Sequence, residues 1–390
     1  MHPSNAVTGD IMAPDPQPSQ RRQTAPAPRL SPLAGIRADW VAGDRSRLAR
    51  LLIVALVGIT ILAFGASVMT GAADASIGNL LRWLTGTETA EAALSLRDRI
   101  IILDIRLPRA VLGLLVGAAL AVSGAVMQGL FRNPLADPGL VGVSAGAGLG
   151  AVLTIVLGAS VFGPLFALVG IYALPVAAFL GALLTTFLLY RIATRGGQTS
   201  VATMLLAGVA LAALAGAVTG VLIFVADDKQ LRDLTFWGLG SLAGASWAKI
   251  AGAAPIILLS LAVVPFLARG LNALTLGEAA AFHMGVPVQR LKTVAVVTVA
   301  ASTGAAVAVS GGIGFVGIVV PHVLRLLIGP DNRYLLPASA LLGGTLLIVA
   351  DMVARTIVPP AELPIGIITA FAGAPFFLWI LLRGRTQMGL

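Results

Sequence analysis

The chain has 390 residues, of which 57% are hydrophobic and 11% are charged. A soluble globular domain carries about 25% charged residues, so this composition excludes that class of protein. The formal net charge of +9 is attributed to arginines that flank membrane spans, not to nucleic-acid binding. The sequence has no cysteine, which excludes disulfides, thiolate metal sites and iron–sulfur ligation.

The N-terminal segment differs in composition from the rest of the chain. Residues 1–47 contain a cluster of prolines with Gln and Ser between them, which predicts a disordered, solvent-exposed tail. Its arginines precede the first apolar run and should hold this end in the cytoplasm. We therefore expect a cytoplasmic tail over residues 1–47 and a transmembrane domain over residues 48–390.

Uncharged runs long enough to cross a bilayer follow the tail, since about 20 apolar residues span a hydrocarbon core. Residues 138–190 are too long for one helix, and the glycines and proline between positions 158 and 170 predict a break there. Residues 293–324 are short for two crossings, so a full span followed by a short or broken helix is expected. The predicted spans are 51–73, 110–131, two within 138–190, 200–224, 250–268, two within 293–324, 335–353 and 365–382. This predicts an all-α polytopic membrane protein of about ten transmembrane helices, with both termini in the cytoplasm.

Two of these spans carry small residues at every fourth position. Such a stripe lets another backbone approach closely, so it is typical either of a substrate channel or dimer seam, or of ordinary packing inside a helix bundle. In the second span the stripe is Gly113, Gly117, Ala121, Ala125 and Gly129. In the fifth span it is Gly208, Ala212, Gly216 and Gly220.

The residues for nucleotide, metal or nucleophilic chemistry are missing. The sequence has no Walker A loop, its three histidines lack metal-ligand spacing, and no catalytic constellation is present. We therefore expect no catalytic residue, no metal site and no permanently bound cofactor. Charges well inside the spans are almost absent, whereas proton-coupled transporters usually carry them as relays. This favours an energy source outside the chain.

One loop, residues 269–292, predicts a short surface helix. Its run LTLGEAAAFHMGVPVQR has good helix formers from Glu278 to Phe282, and Gly285 can stop the helix. The segment is too short and too polar to span a membrane. It is either a helix that sits in a partner protein or an interfacial turn without one.

Long motifs in the sequence resemble the permeases of iron–siderophore, haem and cobalamin ABC importers. They occur in order as RLPRAVLGLLVGAALAVSGAVMQGLFRNPLADPGLVGVSAGAGLGA, LLAGVAL, LTLGEAAAFHMGVP, GGIGFVGIVVPHVLRL and AELPIGIITAFAGAPFF. The resemblance implies a homodimer in the bacterial inner membrane, surrounded by lipid. It also implies two copies of a cytoplasmic ATPase that uses ATP and Mg, and a periplasmic substrate-binding protein.

The resemblance also implies roles for particular residues. The translocation path would run between two subunits along the fifth helix, past Gly208, Ala212, Gly216 and Gly220. The ATPase would receive the segment Leu276, Gly277, Glu278, Ala279, Ala280, Ala281, Phe282, His283, Met284 and Gly285. The binding protein would dock on Arg106, Arg109 and Arg355, which we expect to face outward at the membrane surface.

Alternatives remain for these arginines and for the substrate. The arginines are otherwise lipid-interface anchors, and Asp351, one turn before Arg355, allows an internal ion pair. Residues 233–247 most resemble haem-importing members, so haem is favoured over a ferric siderophore or cobalamin. A secondary transporter working alone and a membrane scaffold are the alternatives from other classes.

Overall fold

The computed structural model describes residues 45–71, 95–158, 169–359 and 361–388. The predicted tail lies outside the described residues except for its last few positions, so its disorder stays a prediction. The glycine and proline at positions 163 and 164, used above to predict a break, also lie outside them.

The regular secondary structure of the described residues is helical except for a short hairpin. The first half contains α1 (Ser46–Met69), α2 (Leu96–Arg99), a π-helical segment (Ile100–Arg106), α3 (Leu107–Phe131), a 3₁₀ turn (Pro138–Val141), α4 (Val143–Leu157), a second 3₁₀ turn (Gly170–Tyr172), α5 (Ala173–Ala193), the antiparallel strands β1 (Thr194–Arg195) and β2 (Gln198–Thr199), and α6 (Val201–Val225). The second half contains α7 (Asp228–Gly238), α8 (Trp247–Leu274), α9 (Glu278–His283), α10 (Val288–Ser310), α11 (Val316–Ile328), α12 (Asn332–Thr356) and α13 (Ile365–Met388).

The predicted fold class is confirmed. Within the described ranges, seven helical segments are long and apolar enough to cross a membrane, and three shorter apolar helices accompany them. The short ones are α4, α11 and the first part of α13, and all ten coincide with predicted spans. The predicted break inside 293–324 is also confirmed, because α10 ends at Ser310 and α11 begins at Val316. Gly311 and Phe315, the residues that flank the break, both have positive φ.

Helix α7 was not predicted from the sequence. It is amphipathic and starts with a capping box, in which the Asp227 side chain accepts from the Gln230 N–H and the Gln230 side chain accepts from the Asp227 N–H. Span counting overlooks it because its residues are too polar to cross a bilayer.

Helix α3 lies at the centre of the bundle, and the close approach of its neighbours explains its stripe of small residues. A Cβ added at Gly117 would lie 2.8 Å from the Gly344 Cα, so α12 approaches the stripe to backbone contact. Gly124, which lies beside the stripe, makes the same kind of contact with α11, because a Cβ there would collide with the backbone of Gly317. Here the stripe serves packing inside the subunit.

Hydrogen bonds between helix termini define one end of the bundle, called here the Arg109 end. Arg106 Nη1 donates to Val68 O at 3.1 Å, which joins the start of α3 to the end of α1. Arg355 Nη2 donates to Ser67 O at 2.7 Å, which adds the end of α12. The end of α1, the start of α3 and the end of α12 therefore meet.

The opposite end is called the Glu278 end. Asn272 Nδ2 donates to Asp331 Oδ1 at 2.7 Å, which joins the end of α8 to the start of α12. Burial raises the pKa of Asp331, but hydrogen bonds from Arg333 and Asn272 outweigh it, so the pKa lies below its ordinary value. This end also holds α9 and the starts of α6 and α10.

Candidate functional site

Helix α6 presents an open face. It packs mainly on α4, α5 and the first 3₁₀ turn, which cover Gly208 and half-cover Ala212. Gly216 and Gly220 are exposed, and a Cβ added at either would meet no atom of the described residues within 4 Å. Gly208 and Ala212 therefore serve packing inside the subunit. Gly216 and Gly220, in the C-terminal half of α6, called here its upper half, leave room beside the helix.

The open face is apolar throughout. α6 has no charged residue, and both of its threonines inside the span are half-buried. Its exposed large side chains are Leu206, Val209, Leu214, Val218, Val221, Ile223, Phe224 and Val225. A contiguous apolar surface of this kind is covered in the membrane by lipid, by another protein surface or by an apolar cargo.

The predicted short helix in the loop 269–292 is confirmed as α9. Gly277, at φ 104°, precedes it, and Gly285, at φ 81°, follows it, so both ends use backbone that favours glycine. Ala281 is buried against the core, whereas Leu276 and Phe282 are each 70% exposed. One side of α9 anchors the helix and the other presents apolar side chains at the surface.

A lysine that the sequence reasoning missed lies under α9. Lys292 is 2% exposed, and its Nζ lies 2.8 Å from Glu278 Oε2 and 2.8 Å from Thr199 O. In the sequence it is the last charge before an uncharged run, which indicates only a span boundary. No local pattern predicts its contact with the start of α6.

At the Arg109 end the three predicted docking arginines lie inside the protein. Arg109 Nε donates to both oxygens of Asp351 at 2.9 Å, and its Nη1 donates to both oxygens of Glu362 at 2.9 and 3.0 Å. Arg109 is 5% exposed, while the Glu362 side chain is 35% exposed. Glu362 is thus the part of this cluster that reaches the surface, and the sequence reasoning did not select it.

The other two arginines are held by the end of α1. Arg355 Nη2 donates to the carbonyl and hydroxyl oxygens of Ser67 at 2.7 and 2.8 Å, and Arg106 Nη1 donates to the carbonyls of Val68 and Met69. The internal ion pair of Arg355 with Asp351 is confirmed, at 3.6 Å.

The expectation that these three arginines face outward is wrong. Arg106, Arg109 and Arg355 are all buried, because two carboxylates and the last carbonyls of α1 take up their donors. Spacing in a sequence reveals which residues share a helix face, but not which distant groups cover that face. Their role in docking stays a prediction.

The profile of the FecCD transport family matches residues 46–383. The chain belongs to the FecCD transport family. This FecCD protein is 47% identical over 332 residues to the hemin transport system permease of Yersinia pestis, which covers 85% of the chain and 95% of the relative. It is 48% identical over 292 residues to the cobalamin import system permease of Halobacterium salinarum, which covers 75% of the chain and 76% of the relative.

A solved structure agrees with the sequence relatives of this FecCD protein. A metal-chelate type ABC transporter in an inward-facing conformation superposes with a TM-score of 0.74 at 30% identity, covering 86% of this chain and 99% of that one. The prediction of an ABC importer permease is confirmed. The chain is a multi-pass transport subunit, and its family implies an ATPase and a substrate-binding partner.

Proposed function

We propose that the chain is the permease of a homodimeric, ATP-driven haem importer in a bacterial inner membrane. The choice of haem rests on how much of each relative aligns with this chain. The hemin permease aligns over 332 residues and 95% of its length, whereas the cobalamin permease of similar identity aligns over 292 residues and 76% of its length.

The open face of α6 supports an apolar, flat cargo. A porphyrin presents two broad apolar faces, and the space beside Gly216 and Gly220 admits such a face without a polar partner. Cobalamin is edged by amides, and an amide moved from water to an apolar wall without a hydrogen bond costs about 1–3 kcal/mol. The absence of charged groups on α6 also keeps binding weak, which favours release.

The two ends of the bundle receive different partners in this proposal. The Glu278 end and both termini face the cytoplasm, where two ATPase copies contact the segment from Leu276 to Gly285. The exposed Leu276 and Phe282 supply apolar anchors for this contact. ATP and Mg are used by the ATPase alone. Two copies of the permease face each other across their α6 helices.

Docking of the periplasmic binding protein is proposed at the Arg109 end. Arg106, Arg109 and Arg355 form a fixed cationic cluster beneath the surface, and Glu362 covers Arg109 on the outer side. An acidic group of the binding protein would approach Arg109 where Glu362 now lies, and an Arg guanidinium can hold a carboxylate through two hydrogen bonds.

Uptake by proteoliposomes holding the permease, its ATPase and its binding protein tests this function. We expect ATP-dependent entry of haem, none with an ATPase variant that cannot hydrolyse ATP, and no ATP hydrolysis by the permease alone. A complex that carries a ferric siderophore or cobalamin and ignores haem would overturn the choice of substrate. Cobalamin is the second candidate because of the 48% identity to a cobalamin permease.

A further inference from the structure

We propose that Lys292 is the mechanical joint that couples α9 to the start of α6. The proposal rests on the function proposed above, because it takes α9 to be the helix that the ATPase moves. Lys292 does not contact cargo or nucleotide in this account. It acts by holding two other segments together and is therefore a positioning residue.

The burial of Lys292 shows that its contacts are specific. Lys292 is the largest of the fully buried side chains among the described residues. A lysine is almost never fully buried unless its ammonium is paired. Here the ammonium bonds to the Glu278 carboxylate and the Thr199 carbonyl, each at 2.8 Å, and so bridges two segments that do not adjoin in the chain.

The bridge lies at the start of α6, because Thr199 directly precedes the N-cap of that helix. Ser200, the next residue, is the N-cap of α6, and its hydroxyl accepts from the Thr203 N–H. The Thr199 N–H donates to Gln289 Oε1 at 2.9 Å. Both backbone groups of Thr199 are therefore held by side chains of α10, and any shift of Lys292 acts directly on the residue before the cap.

Glu278 places the other arm of the bridge at the first turn of α9. Among the described residues, no other side chain of α9 makes a hydrogen bond or an ion pair. Apart from the chain itself and its backbone hydrogen bonds, the helix is attached by the apolar contact of Ala281 with the core. Apolar contacts are non-directional, whereas a charge-assisted hydrogen bond fixes distance and direction. The Glu278–Lys292 pair is thus the contact that can transmit a displacement of α9.

A displacement of α9 can tilt α6, because one face of the upper half of α6 is not packed against the described part of the subunit. α6 packs mainly on α4, α5 and a 3₁₀ turn, and its upper half is open. When the ATPase displaces α9, Glu278 moves Lys292, Lys292 moves the Thr199 carbonyl, and the start of α6 tilts. Because α6 lines the proposed path, hydrolysis on one side of the membrane changes the width of the path.

The first test uses Lys292→Met in the complete complex in proteoliposomes. Met keeps the length and apolar stem but removes the ammonium. We expect uptake per ATP hydrolysed to fall roughly tenfold, the size of a typical coupling between sites, while ATP hydrolysis continues. Lys292→Arg should restore part of the ratio. Arg290→Met is the matched control, because Arg290 lies on the same helix, is exposed and bonds to no described residue.

An unchanged ratio of uptake to hydrolysis in Lys292→Met would overturn the joint. This includes a proportional fall of both rates that disappears when they are compared at matched amounts of folded protein, which indicates a purely structural role. Glu278→Gln supplies a second variant if Lys292→Met does not fold, and it too should lower uptake per ATP.

Distance measurements separate the failure of this proposal from failure of the proposed function. The chain has no cysteine, so Ala279→Cys and Ala202→Cys can be spin-labelled specifically on α9 and α6. With Lys292 present, ATP should leave the distance between the two labels unchanged, because the segments move together. With Met it should change. If ATP changes the distance with Lys292 present, the joint fails whatever the cargo. If the distances behave as expected but haem is not carried, only the substrate is wrong.

Discussion

Helices α3 and α6 carry the same four-residue spacing of small residues and use it in opposite ways. In the most hydrophobic stretch of α3, 83% of the residues are buried, against 17% in α6. Gly117 of α3 meets the backbone of α12, whereas no described part of the chain lies within 4 Å of a Cβ added at Gly216 or Gly220 of α6. The spacing predicts that something approaches closely, but only the structure shows whether it is the same chain.

The difference has an energetic consequence. A side chain added on α3 must displace backbone, which cannot yield, so it destabilises the folded subunit. A side chain added on the upper half of α6 is accommodated by the subunit and affects only what lies against that face in the assembly. The following substitutions separate the two cases, ordered by their expected effect on folding.

Gly124→Leu should have the largest effect. A Cβ at this position already collides with the backbone of Gly317, which cannot yield. Leu should therefore cost well above the roughly 1–3 kcal/mol that is typical when methylenes are added to a packed core. We expect little monodisperse protein after detergent extraction and a strongly lowered thermal midpoint. Gly58→Leu on α1 is the control, because a Cβ there has no neighbour within 4 Å in the part of the chain that the structure describes. Wild-type stability of Gly124→Leu would contradict the packing of α3.

Arg109→Met tests the anchored start of α3. Removing one partner of a buried ion pair costs about 3–5 kcal/mol, because the other charge stays buried. Without Arg109, Asp351 would keep only its longer contact with Arg355, at 3.6 Å. The double variant Arg109→Met with Asp351→Leu should recover much of this loss in thermal unfolding. Equal stability of the single variant and the wild-type protein would show that the pair is not closed in the membrane. Charge reversal at Arg109 is unsuitable for testing docking, since it would unfold this end.

Gly216→Leu combined with Gly220→Leu should leave folding nearly unchanged, within about 0.5 kcal/mol, as for substitutions away from packed features. Uptake should nevertheless fall sharply, because both side chains project into the proposed path. The measurement is uptake rate at matched amounts of folded protein. Normal uptake would assign the open face of α6 to lipid and remove it from the path.

Glu362→Gln should have the smallest effect. It removes the exposed carboxylate that covers Arg109 but keeps the shape of the side chain. If the binding protein docks there, its affinity should rise by a few-fold, in line with about 0.2–1 kcal/mol for an exposed ion pair. The gain should shrink at high salt. An affinity that stays constant at low salt would place the docking surface elsewhere.

The sequence predicted those features that depend on local sequence signals, such as glycines that end or interrupt a helix. Gly311, Gly312 and Gly314 interrupt an apolar run, and Gly285 follows a stretch of good helix formers, so the break and the short helix could be located by position. Span length followed from the thickness of a bilayer.

Long-range contacts could not be predicted in this way. Arg109 and Asp351 are 242 residues apart in the chain, and Lys292 and Thr199 are 93 apart. A charge near the end of an apolar run has the same local pattern whether it is exposed or buried in an ion pair. The outward-facing arginines were therefore wrongly predicted, and Lys292 was missed, for the same physical reason.

The most direct test of the central claim, that the open face of α6 lines a cargo path, is the chemical access of Gly220. In the cysteine-free chain, Gly220→Cys in the assembled complex is treated with a charged, membrane-impermeant maleimide, with Gly58→Cys on the exposed face of α1 as the lipid-side comparison. The account predicts that the thiol at 220 reacts, that haem delivered by the binding protein slows the reaction, and that the thiol at 58 does not react. Equal, negligible labelling at both positions would show that this face of α6 lies against lipid and would contradict the account.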